Sequence, residues 1–295
     1  MNYILLFISV IFFAVNTVSL KLFQTKIQKN PASVRLFQSG TCAVASILSA
    51  LFGSLIIPET STFILGIAFG FLFFITSYST SRCFACGPMS LTSVIINMSL
   101  SVPIVYSFIV FGEEIIARRI VGLCLMLTAI VLSGLSQSGK GKSEKKGGLM
   151  WLCFVLLGFF CNGFSSVIQK QNQFDAGAQS APTFLSIGYI CASLFFLILF
   201  FIENKGKFLS PKKDISSLPV FIFIMIFAGL GSIVGNTLLG NLSTKIDASI
   251  LYPCLNGGLA LLSSLVSIIV FKEKATAMKI LSLLVGLSAI VLLAM

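Results

Sequence analysis

Five asparagines interrupt the apolar stretches of this chain: Asn16, Asn97, Asn162, Asn236 and Asn256. A side-chain amide donates and accepts hydrogen bonds, so it can grip a polar ligand without carrying charge. Unsatisfied in hydrocarbon it is costly, so each must face protein or a cavity. Two tyrosines have polar neighbours: Tyr78 follows Thr76 and Ser77, and Tyr252 follows Ser249. The chemistry open to such a set is recognition. Amides supply placed hydrogen bonds, and aromatic rings supply an apolar wall or a cage for a cation. The plainer role is a helix–helix hydrogen bond, worth about 0.6 kcal/mol per amide. For a tyrosine it is packing or anchoring at the membrane interface.

What is missing narrows the field. There is no histidine. The acids Glu59, Glu113, Glu114, Glu144, Asp175, Glu203, Asp214, Asp247 and Glu273 all fall in loops or at the ends of apolar stretches. No carboxylate lies mid-stretch, where intramembrane ionisable groups mark proton relays. This weakens a carboxylate-driven proton antiporter, while leaving a role for Glu113 or Glu273 if either reaches a water-filled cavity. No Walker loop, nucleophile elbow or metal-ligand cluster is visible, which disfavours an ATP-driven pump or a hydrolase. No catalytic residue, cofactor or metal is expected. Cys83-x-x-Cys86 has redox spacing but lacks the βαβ setting of a thioredoxin-like site. The eight cysteines lie almost wholly in apolar segments and read as packing residues. Lys21, Arg82 and Lys170 sit near the ends of apolar stretches, where long basic side chains snorkel to the interface. An inward Arg82 or Lys21 would instead favour an anionic substrate.

The elements that position these residues follow from composition. The chain is 57% hydrophobic and 10% charged, with mean hydropathy +1.04. Soluble domains carry about 25% charged residues, so this chain could not cover a water-facing surface. It reads as an all-α integral membrane protein. The net charge of +11 belongs to cytoplasmic loops rather than to nucleic-acid binding. The first apolar stretch lacks a basic n-region and a clear cleavage site, so it reads as a retained helix.

Ten apolar runs have roughly the 20 residues that a bilayer demands. They are 3–23, 32–57, 63–82, 88–111, 116–136, 149–169, 181–202, 218–239, 247–271 and 276–295. The polar, Gly-rich stretch 137–148 cannot span and divides them into two sets of five. We place a first repeat at 1–139, a cytoplasmic linker at 140–148 and a second repeat at 149–295. Gly66-x-x-x-Gly70 and Gly231-x-x-x-Gly235 should allow close helix approach. Pro103 should kink the fourth span, and Pro253 the ninth.

The two sets are copies. FGEEIIARRIVGLCLMLTAIVL at 111–132 aligns without a gap to FKEKATAMKILSLLVGLSAIVL at 271–292, an offset of 160. Asn16 and Ser19 match Asn162 and Ser165 at offset 146. Phe37, Ser39, Ala45 and Ser46 match Phe184, Ser186, Ala192 and Ser193 at 147, and Ser90 and Asn97 match Ser249 and Asn256 at 159. Loops changed length while helices kept register. Five is odd, so the second set enters the membrane from the opposite side. That makes an inverted repeat, the plan of many secondary transporters. Repeat-related polar positions near mid-span are where such folds place substrate. The candidate substrate residues are therefore Asn16, Asn97, Asn162, Asn256, Tyr78 and Tyr252.

Ten short helices in two five-helix halves, with G/K-E after the fourth helix of each, resemble the drug/metabolite transporter superfamily. The nearest branch is the one built from two EamA-type repeats, and the resemblance covers nearly the whole chain. It implies a central cavity lined mainly by the first four helices of each half, with the fifth outside. It also implies export or uptake of a small metabolite. Small multidrug relatives carry a proton-exchanging glutamate in their first helix, where this chain has Asn16. The expectation is a secondary transporter of a small organic metabolite in the cell membrane, working by alternating access as a monomer or homodimer. The alternatives are a passive channel or a lipid-linked flippase, and last a membrane enzyme. Of the 20 Lys and Arg, 16 lie on odd-numbered connections and four on even-numbered ones. The positive-inside rule then puts both termini outside. The resemblance implies the reverse.

Overall fold

The structure, a computed structural model, describes residues 2–23, 33–52, 57–86, 89–114, 116–135, 148–177, 181–204, 217–269 and 277–294. All regular structure among them is helical. We number the α-helices α1 (Asn2–Leu22), α2 (Ser33–Phe52), α3 (Thr60–Cys86), α4 (Met89–Asn97), α5 (Ser101–Val110) and α6 (Ala117–Leu135). Then come α7 (Leu149–Ala176), α8 (Ala181–Glu203), α9 (Leu218–Ser243), α10 (Ala248–Ile269) and α11 (Ala277–Ala294). Six of these, α1, α2, α3, α7, α8 and α9, are long and apolar enough to cross a membrane. Val94–Val110, Ala248–Leu262 and Ile280–Leu293 are shorter apolar stretches. Large apolar side chains stand exposed along these helices, with Ile4 at 66%, Leu51 at 72% and Ile198 at 56%. Water would not support so much exposed apolar surface, and lipid does.

Local chemistry explains the departures from the sequence-derived boundaries. The run 88–111 is not one helix. A 3-10 turn at Met98–Leu100 separates α4 from α5, and Pro103 follows three residues later. Proline offers no N–H to the carbonyl four residues back, and its ring crowds that carbonyl. The break falls one turn ahead of Pro103 for that reason. Pro253 lies inside α10, which stays a single helix. The sixth apolar run reads as ending near residue 169, yet α7 continues to Ala176. Lys, Gln and Asn tolerate helix although they lower hydropathy. The helix stops at Gly177, whose φ of 73° is left-handed and whose N–H bonds to Gln173 O at 3.1 Å.

The helices form two compact units. The first takes Met1–Val10, Ile75–Val167 and Leu242–Met295; the second takes Ile11–Phe74 and Ile168–Asn241. Helices α1, α3, α7 and α9 give a segment to each. In the first unit α6 packs along α11, and α10 packs against both. Small residues permit this: Gly122 lies against Leu293, and Gly257 against the fully buried Met126. Glu113 closes the start of α10. Gly112, with φ 63°, turns the chain after α5, and Glu113 Oε2 accepts the Ala248 N–H at 2.7 Å. A carboxylate there satisfies an orphan donor and meets the positive end of the helix. Arg119 pairs with Asp247 at the same end.

In the second unit α2 packs along α8 through two reciprocal serine pairs. Ser39 Oγ donates to Ser193 O and Ser193 Oγ to Ser39 O, both at 2.9 Å. Ser46 Oγ donates to Ser186 O at 2.9 Å, and Ser186 Oγ lies 3.4 Å from Ser46 O. The core beside them is aromatic: Phe69, Phe184, Tyr189 and Phe196 pack with Cys42, Ala45 and Ala192. Gly66 and Gly70 bring α3 onto the α8 backbone, and Gly231 brings α9 onto the α1 backbone, as their spacing predicts. Arg35, counted with the loops in the sequence, is buried in the first turn of α2 and pairs with Glu203 at 3.3 Å.

Candidate functional site

The first unit gathers two of the six candidate residues around α7. Asn162 Nδ2 donates to Ser99 Oγ at 2.6 Å, in the 3-10 turn that Pro103 imposes. Gly163 makes the approach possible: a Cβ there would strike Val102 and crowd Ser99 O. One turn along α7, Ser166 O accepts the Tyr252 hydroxyl at 3.3 Å. Tyr252 is buried, Asn162 half-buried. Asn97 is the last residue of α4, directly before the turn that holds Ser99. Asn256 lies one helical turn beyond Tyr252 on α10. Both are half-buried, and neither side chain has a hydrogen-bond partner among the described residues. The buried hydroxyl of Ser249 also lacks a partner there.

Tyr78 occupies another part of the first unit. Its half-buried ring meets Phe154 edge-on at 6.2 Å, and the Arg82 guanidinium lies 5.7 Å from its centroid. Arg82 is exposed, as a snorkelling residue should be. Cys83 is buried and outside any disulfide, with its Sγ 3.9 Å from Trp151 O, and the side chain of Cys86 lies outside the described residues. Asn16 belongs to the second unit. Its Nδ2 donates to Ala228 O at 2.9 Å, so this amide ties α1 to α9. Of the two glutamates considered for coupling, Glu113 caps α10 and Glu273 lies outside the described residues.

A second polar cluster lies wholly in the second unit. Gln169 Nε2 donates to Asn236 O at 2.7 Å, and Asn236 Nδ2 donates to the Tyr189 hydroxyl at 2.7 Å. Tyr189 and Ser232 share a further hydrogen bond of 2.7 Å. Around them Lys170, Asn172 and Gln173 are all at least 95% buried. This corrects the reading of Lys170 as a snorkelling residue: it is 4% exposed and sits in the body of α7. Hydropathy ends the span at the first residues of QKQNQ, whereas α9 covers that run. Gln169 Nε2 ties the two helices through Asn236 O, and Gly240 of α9 stands beside Gln169 and Gln173, where a Cβ would meet them only at ordinary contact distance. Burying an ammonium takes polar partners, and this turn of α7 is where the chain collects them.

No family model matches the sequence, and no curated protein matches it. Among solved structures 28 chains match. One, described as the crystal structure of a protein, superimposes over 99% of this chain and 95% of its own, with a TM-score of 0.76 and 11% identity. At that identity the likeness establishes a shared fold and nothing about activity.

Proposed function

We propose that the chain is a secondary transporter of a small organic metabolite, built on the drug/metabolite transporter plan. Ten spans form two inverted five-helix repeats in the cell membrane, and the halves alternate access to a shared site. One observation carries this reading. The offset of 147 maps Ser39 onto Ser186 and Ser46 onto Ser193. The same offset therefore exchanges the Ser39–Ser193 pair with the Ser46–Ser186 pair. Contacts that swap under the repeat offset are what a two-fold axis between two copies produces, and inverted copies are the transporter architecture. The asymmetry of basic residues supports odd-numbered connections in the cytoplasm and both termini outside.

Purified protein in liposomes loaded with a mixture of polar metabolites should release a subset of them. That efflux should saturate and be competed by external substrate, with mass spectrometry as the readout. Non-saturating release proportional to concentration would indicate a pore. Transbilayer movement of labelled lipid without solute release would indicate a flippase. Either result would displace the transporter reading.

A further inference from the structure

We propose that the cavity between α2, α8 and α9 is a seat for one acyl chain of a membrane glycerolipid, with the ester end of that chain at Thr237. This lipid site lies outside the transporter reading and needs only the membrane setting of the helices. The cavity measures about 270 Å³ and belongs wholly to the second unit. It lies beyond the level where α2 and α9 touch. There Gly40 receives the Met225 side chain and Gly229 that of Val44, at distances no Cβ would allow. Farther along both helices, Leu48 and Ser49 of α2 line the cavity together with Ile233 and Thr237 of α9, and Pro182 of α8 completes the wall. The Ser49 hydroxyl donates to Pro182 O at 2.8 Å and fixes that corner. Ile233 belongs to the aromatic core with Phe69 and Tyr189, so the wall behind it is packed.

The lining selects the class of occupant. Most of it is hydrocarbon: Leu48, Leu230, Ile233, Val234 and Leu238. A water molecule needs about two to four polar partners in a cavity, and an apolar cavity takes hydrocarbon instead. Pockets that enclose a whole organic ligand run to about 300–1,000 Å³, so this one suits one limb of a larger molecule. The mouth faces lipid. On α9 the exposed Phe223 and Phe227 continue at helical spacing through the half-buried Leu230, Val234 and Leu238, which line the cavity. On α2, Leu48 lies beside the exposed Ile47 and one turn before the exposed Leu51. The cavity wall is thus continuous with the lipid-facing stripes of two helices, and a chain enters it sideways from the bilayer.

Polarity along the cavity matches a lipid end to end. Ser49 lies in the last turn of α2, Pro182 is the second residue of α8, and Thr237 lies in the last two turns of α9. These polar groups therefore stand toward the membrane surface. Leu230 lies two turns deeper than Thr237, about 10 Å by helical rise. The Thr237 hydroxyl is an available donor. Thr17, Thr80 and Thr128 each donate to the carbonyl four residues back, the usual outlet for a hydroxyl inside a helix. Thr237 lines the cavity and has no hydrogen-bond partner among the described residues. An ester carbonyl at the head of an acyl chain accepts from such a hydroxyl, while the chain below it covers Val234, Ile233 and Leu230. A free fatty acid would bring a carboxylate to the same level, and no cation stands among the described residues that line the cavity.

The test places purified full-length protein in phosphatidylcholine nanodiscs doped with a phosphatidylcholine that carries a diazirine midway along one acyl chain. After illumination, mass spectrometry maps the labelled residues. Label should concentrate on the cavity residues of α2 and α9, several-fold above the exposed face of α11 around Leu284. Val234→Trp fills the cavity and should cut that labelling several-fold, whereas Leu284→Trp, on an open lipid face, should leave it unchanged. Thr237→Val keeps the shape and removes the donor. It should lower labelling by the ester lipid to the level of an ether-linked analogue, which has no carbonyl to accept the bond. If Val234→Trp does not fold, Thr237→Val with the ester and ether pair carries the test alone. Even labelling around all the helices would show only the ordinary lipid annulus and would overturn the proposal. So would unchanged labelling in Val234→Trp, or equal labelling of the unmodified protein by ester and ether lipids. Stronger labelling by a diazirine fatty acid than by the ester lipid would overturn the glycerolipid as occupant.

Discussion

Tyr189 shows how much one hydroxyl can hold in an apolar interior. It meets Ser232 Oγ and Asn236 Nδ2 at 2.7 Å each while its ring packs against Phe69 and Phe73. Tyr189→Phe keeps the ring contacts and strands two buried polar groups. We expect it to destabilise the protein by about 1–3 kcal/mol, seen as a lower unfolding midpoint in detergent. An unchanged midpoint would mean that the network contributes nothing net. The sequence marks Asn236 as an amide within a span but gives it no repeat partner, so a filter based on symmetry passes over it. Lys170 is hidden for another reason. Its turn of α7 is tied to α9, where Gln169 bonds Asn236 67 residues along the chain, and no local pattern encodes that. Asn162 and Tyr252 are legible because repeat position and polar company are both visible in one dimension. Their common attachment to α7 is not.

At the level of elements, small residues decide which helices meet. A Cβ at Gly70 would collide with the carbonyl oxygen of Gly188, and Gly188 in turn faces Phe69. Backbone cannot yield as a side-chain tip can, so Gly70→Ala must push α3 from α8. Overpacking of this kind costs typically about 1–3 kcal/mol. The variant should lose thermal stability, and Gly148→Ala, open on every side, should not. Equal midpoints for the two would refute the close contact. Helical class, apolar runs and the GxxxG contacts follow from composition and spacing, because bilayer length and backbone approach are local properties. The split of the fourth run into α4 and α5 is only half legible. Pro103 announces a distortion, but its placement one turn earlier reflects the carbonyl it displaces and the room that Gly163 leaves beside Ser99.

For the whole molecule, the burial of Lys170 alters the charge count. Setting aside both buried residues, Lys170 from the even-numbered connections and Arg35 from the odd ones, leaves three basic residues against 15. The charge argument for termini outside becomes stronger. Ser143→Cys, on a background without the native cysteines, should resist an impermeant thiol reagent in intact cells. An added C-terminal cysteine should react. The reverse pattern would turn the orientation over while leaving the helices as they are. The composition of the units has a further consequence, for biogenesis. Ser39 and Ser46 leave the ribosome long before Pro182, Ser186 and Ser193, the residues their helix must meet. Each unit draws on both halves of the chain, so neither can close while only the first half has been made. Until α8 inserts, α2 must hold its serines against its own backbone or another partner. A wait for the second half is thus built into the order of synthesis.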